Sequence, residues 1–177
     1  RDLDLSRSDD SEVDVSDFPP KVRQKYQTRE AKEQAARAKN DAKISQTDDP
    51  TKRANLIAKE EQRRAKVETK LQNDLLKDQA YYVPLKQLKP LAKQISLGDV
   101  SSLNEVEGRR MLKDVRSEMN KKSKAETNIS KLDASDKKEK AISSEEERAS
   151  KALNSLKAKL ANRVQRSANP RWWHSWL

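Results

Sequence analysis

Apolar side chains are sparse along this chain, and where they occur they recur at helical spacing. Val67, Leu71 and Leu75 stand at every fourth position, a single sticky face on an otherwise polar stretch. Leu85, Leu88, Leu91 and Ile95 follow at intervals of three, three and four. Leu112, Val115 and Met119 form a third stripe, and Ala149, Leu153, Leu156, Leu160 and Val164 a fourth, at four, three, four and four. This pattern predicts an all-α protein.

Local punctuation sets the expected bounds. Pro19-Pro20 suits the entrance to a helix over about 20–46. Asp49-Pro50, an N-cap followed by proline at the first helical position, opens another over about 50–80. Pro84 and Pro90 confine the next apolar stretch to short pieces, and Ser102 with Glu105 reads as a capping box. The helix that follows is expected to fade at Lys121-Lys122-Ser123-Lys124, and Ser143-Ser144 with three glutamates is expected to start the last one. The predicted organisation is an acidic, Ser-rich tail over 1–18 and two long basic helices over 19–80, broken near 47–50. A short apolar helical segment follows over 81–100, then a helix over 101–124 and a linker over 125–142. A basic amphipathic helix with a Trp-rich end completes the chain over 143–177.

Composition sharpens this picture. Leu, Ile, Val and Phe together number 32 of 177 residues, about 18%, below the level at which burial readily offsets ordering entropy. An extended, non-globular set of long helices with disordered linkers and a disordered acidic tail is therefore expected, with no compact core. There are no cysteines, which excludes disulfides and thiolate metal sites, and no apolar run long enough for a membrane span. The chain begins at Arg1 rather than Met, which reads as a fragment or a processed product.

Charge is distributed in blocks. The net charge is +10, yet residues 1–18 hold seven acids and two bases, whereas 148–177 hold seven bases and no acid. The lone His174 lies between Trp173 and Ser175, without a second metal ligand nearby, and Gly98 and Gly108 are too few for a phosphate-cradling loop. Most carboxylates have a base three or four residues away, as on a solvated helix face. No enzyme, no cofactor, no metal and no small-molecule substrate is expected.

The candidate nucleic-acid contacts are Lys21, Arg23 and Lys25, then Lys121, Lys122 and Lys124 on an expected loop, and Lys157, Lys159, Arg163, Arg166 and Arg171 in the acid-free end. The candidate partner-binding residues are Leu85, Leu88, Leu91 and Ile95, Leu153, Leu156 and Leu160, and Trp172, Trp173 and Trp176. All three tryptophans fall within five residues. They fit folding back on the chain's own helices, docking on a partner protein, stacking on unpaired bases, or a membrane surface. Ser8, Ser11 and Ser16 precede acids and suit an acid-directed kinase, although the plainer reading of that stretch is a solubilising tail.

These features point to a non-enzymatic scaffold or assembly subunit of a large complex, a ribonucleoprotein, bridging protein and RNA surfaces inside the nucleus. Its partners would be other proteins of the complex and an RNA or DNA backbone, with no membrane. The alternatives are a protein-only coiled-coil adaptor and an internal virion protein contacting packaged nucleic acid.

Overall fold

Proline and short polar side chains start the helices where local chemistry dictates. A computed structural model describes residues 13–169, and among these the chain has five α-helices and no strand. They are α1 (Pro20–Ser45), α2 (Pro50–Tyr82), α3 (Pro84–Gln94), α4 (Glu105–Ser130) and α5 (Asp136–Ala168). Prolines open the first three, where a missing N–H costs nothing. Asp49 caps α2, its carboxylate accepting from the Thr51 N–H at 3.0 Å. The break expected near 47–50 falls at 46–49. The chain divides into two compact units, residues 1–82 and 83–177.

The first unit is an antiparallel hairpin of α1 and α2, preceded by a 3-10 turn at Val15–Asp17. Val13, Phe18 and Tyr26 are buried at its open end, with the Phe18 ring 5.9 Å from Tyr26 and 6.2 Å from Tyr82. The last six residues of the expected acidic tail are thus partly packed, because Val13 and Phe18 supply an apolar anchor. The rest of that tail lies outside the described residues.

In the second unit α4 packs against both α3 and α5. Leu88, Met111 and Val115 are fully buried, joined by Ala92, Leu112, Leu156 and Leu160. Leu97, Val100 and Leu103, from the loop between α3 and α4, complete the core. The expectation of no compact core does not hold here. Apolar residues diluted along the whole chain are concentrated enough in this unit to pack.

The turn out of α3 is ordered by its backbone. Ser96 adopts a left-handed φ of 54°, its N–H bonds to the Lys93 carbonyl, and the Leu97 N–H bonds to the Ala92 carbonyl. This is a Schellman end that delivers Leu97 into the core. Pro90 lies inside α3 rather than dividing it.

Three expected boundaries move. The cap of α4 is Asn104, not Ser102, because Leu103 is buried in a turn whose N–H bonds to the Val100 carbonyl. The Asn104 side chain instead accepts from the Glu107 N–H at 2.8 Å. The linker expected over 125–142 is occupied by the end of α4, a break at 131–135 and the first turns of α5. α5 starts at Asp136, where Asp136 and Glu139 sit in the first turn and complement the helix dipole.

Candidate nucleic-acid and partner surfaces

The hairpin is held by charge more than by apolar contact. Its inward positions include Arg29, Glu33, Arg37, Asn40, Glu60, Arg63 and Asp74, long side chains that bridge the two helices. Glu60 is only 8% exposed, yet it is well compensated: Arg63 and Arg64 both bond it at 2.8–2.9 Å, and Asn40 donates at 2.8 Å. Arg63 reaches across to Glu33 with two hydrogen bonds of 3.0 Å. These contacts, Arg63 foremost, pull the Glu60 carboxyl down to about 2. Glu33 is lowered by Arg63 and then Arg37, and Asp74 by Arg29. At the open end Tyr26 bonds Asp78, and burial above all raises its phenol.

The second unit uses ion pairs at its margins. Arg148 pairs with Glu145 and, across to α4, with Glu118 at 2.9 Å. Arg163 is 14% exposed, pairs with Asp114 at 2.6 Å, and lies 3.8 Å from Glu107 Oε2, a buried oxygen without a hydrogen bond. Its guanidinium also reaches the Met111 sulfur at 3.2 Å.

The sequence-predicted contacts therefore separate. Arg163 is an internal strut between α5 and α4 and not a free phosphate ligand, because its acid partner folds onto it from the other helix. Lys121, Lys122 and Lys124 are exposed but stand on α4 rather than on a loop. Lys157, Lys159 and Arg166 are exposed on α5. Lys159 and Arg166, seven residues apart, share an edge, whereas Lys157 and Lys159 diverge by about 160° around the helix. Lys21 is exposed, Arg23 is half-buried, and Lys25 meets Asp78 at 3.4 Å. Arg171 lies outside the described residues.

The apolar stripes are turned inward. Leu88, Leu156 and Leu160 are buried within the second unit, and Leu85, Leu91, Ile95 and Leu153 are half-buried. A face that pairs with its own neighbours is closed to a partner, so the first three are core residues. Trp172, Trp173, Trp176 and His174 lie outside the described residues.

Lys89, Lys93, Asp99 and Ser101 line an open depression of about 550 Å³ beside the end of α3. The Asp99 carboxylate there is already engaged by the Ser101 hydroxyl and N–H, which lower it. Among the described residues no three His, Cys, Asp or Glu side chains gather as a metal site, and no helix is long and apolar enough to cross a membrane. Set against protein-family models, curated proteins and solved structures, the chain finds no match in any of the three. The fold itself defines a class: an all-helical protein of two small units, one with an ionic seam and one with an apolar core.

Proposed function

We propose that this chain is a non-enzymatic helical scaffold or assembly subunit of a large ribonucleoprotein complex, acting inside the nucleus and joining protein to RNA. The observation that supports this reading best is a set of uncovered bases on the second unit. Lys121, Lys122, Lys124, Lys157, Lys159 and Arg166 have no carboxylate within 4 Å among the described residues. Uncovered lysines release counterions when they meet phosphate, which gives affinity without sequence preference. The extended, non-globular form and the solvated acidic tail expected from composition belong to the same proposal. So does the docking of Trp172, Trp173 and Trp176 on a partner protein.

The decisive experiment isolates the intact assembly from its source and treats it with nuclease. Release of this chain by nuclease is the expected result. Retention after complete RNA digestion, with binding to generic RNA unchanged through high salt, would favour the protein-only adaptor instead. Scattering from the free chain tests the extended form, since a compact globule of this length has a radius of gyration of about 16 Å.

A further inference from the structure

All ten lysines of residues 13–82 fall into two stripes, one per helix of the hairpin. On α1 they are Lys21, Lys25, Lys32, Lys39 and Lys43, at intervals of four, seven, seven and four. On α2 they are Lys52, Lys59, Lys66, Lys70 and Lys77, at seven, seven, four and seven. At about 100° per residue, the α1 stripe stands roughly a third of a turn from the inward line through Tyr26, Glu33 and Ile44. By the same geometry the α2 stripe stands about a quarter-turn from the inward line through Glu60, Val67 and Asp78. Seen from each helix's own N-terminus, the displacement has the same rotational sense. Two helices that run antiparallel and are displaced in the same sense present both stripes on one face.

The cross-helix pairs locate that face independently. Lys25–Asp78 and Arg29–Asp74 bond on the lysine side of the seam, whereas Arg37–Glu68 and Arg64–Asp41 bond on the other. The arginines mostly hold the seam while every lysine is turned outward. The opposite face carries Gln27, Gln34, Asp41, Glu61, Glu68 and Gln72, and no lysine. All ten lysines are exposed, and nine have no carboxylate within 4 Å among the described residues. The tenth, Lys25, meets Asp78 at 3.4 Å and keeps a side chain that is 59% exposed.

The chemistry of this face selects its partner. Ten like charges, of which only Lys25 meets an acid within 4 Å among the described residues, repel one another, and a polyanion relieves that repulsion. Each stripe runs about 33–38 Å, on the order of one turn of a double helix. Between the lysines stand Thr28, Ala36, Asn55, Gln62 and Asn73, and the exposed Tyr81 lies beyond the last of them, so no ring stands among the lysines for stacking on single-stranded bases. No large apolar residue is offered for insertion into a bilayer either. Lysine, a hydrated point charge on a flexible stem, reaches phosphates without demanding a fixed geometry.

We propose that the lysine face of the α1–α2 hairpin docks along the phosphate backbone of double-helical RNA. The choice of RNA rests on the ribonucleoprotein reading above; the face and the duplex form are added here.

The test measures binding of the full chain to an RNA duplex about two turns long across a salt series. Changing Lys32→Glu, Lys39→Glu, Lys59→Glu and Lys66→Glu together is expected to lower the log–log salt slope by about three units, with affinity falling more than about a hundredfold at low salt. The same four positions changed to Gln, which keeps helix propensity, serve if the Glu variant loses helicity; a slope loss in the same direction is expected. A second variant, Lys121→Glu, Lys124→Glu, Lys157→Glu and Lys159→Glu, carries the same charge change outside the face. If the hairpin variants bind the duplex like the wild type while the second variant loses affinity, the lysine face is overturned and the RNA reading survives. If the wild type binds no RNA of either form, both fall. Tighter binding of the wild type to single-stranded RNA, a DNA duplex, anionic lipid vesicles or a polyglutamate chain at the same salt overturns the duplex-RNA assignment.

Discussion

The two units solve one problem by opposite means. In the hairpin, α1 and α2 meet through Arg63–Glu33, Arg29–Asp74 and Arg37–Glu68, with buried apolar groups gathered at the open end. In the second unit α4 meets α3 and α5 through Leu88, Met111, Val115, Leu156 and Leu160, and its ion pairs stand at the edges. Apolar burial is neither screened by salt nor titrated by acid, whereas charge pairing is subject to both. The second unit therefore keeps its packing under solution conditions that loosen the hairpin.

The largest expected effect is loss of core volume. Leu88→Ala or Met111→Ala should each destabilise the second unit by about 2–5 kcal/mol, read by urea unfolding of the full chain. In the hairpin, Leu71→Ala removes only a half-buried side chain and should cost clearly less. Equal losses at the two sites would end the contrast between the units.

Acid should act in the reverse order. The folded Glu60 carboxyl sits at about 2, below its ordinary 4.5, so its contribution is complete above 4.5 and is lost as pH falls toward 2. Glu33 and Asp74 are lowered in the same direction. Amide exchange followed between those pH values should show the hairpin opening before α4. Simultaneous opening of both units would contradict the ionic account.

Salt is a gentler probe. Raising ionic strength from about 0.1 to 1 M shortens the screening length from about 10 to 3 Å. Exchange in α1 and α2 should quicken while that of the Met111 and Val115 amides stays unchanged. The smallest effect is at Gly108, where an added Cβ would stand 3.1 Å from Pro84 Cγ and 3.6 Å from Leu85 Cδ2. In Gly108→Ala the helix-propensity gain of up to about 1 kcal/mol opposes that crowding. The net change in unfolding free energy should remain within about 1 kcal/mol of zero.

Local chemistry was readable from the sequence, and long-range pairing was not. Pro19-Pro20 and Asp49-Pro50 marked the starts of α1 and α2 because caps act on adjacent residues. The stripe Leu85–Ile95 announced a helix, but the sequence could not say that α4 would cover it. Arg163 looked like a phosphate contact because Asp114 lies 49 residues away in the chain. The stretch after Lys124 looked like a linker because its apolar stripe thins to Ala125 and Ile129, yet two half-buried residues one turn apart suffice to hold α4 to Ser130. The lysine spacing was present all along. It became a face only when α1 and α2 were seen to pair antiparallel.

The ionic seam also shapes what happens when the hairpin is open. On separation the seam exposes arginine, glutamate and asparagine together with the half-buried Ile44, Val67, Leu71 and Leu75, so an opened hairpin offers less apolar surface to self-association than a fully buried core would. α1 and α2 can therefore part along the seam without uncovering a fully buried aliphatic core. The second unit has no such latitude, since Leu88 and Met111 are exposed until α4 and its neighbours close over them.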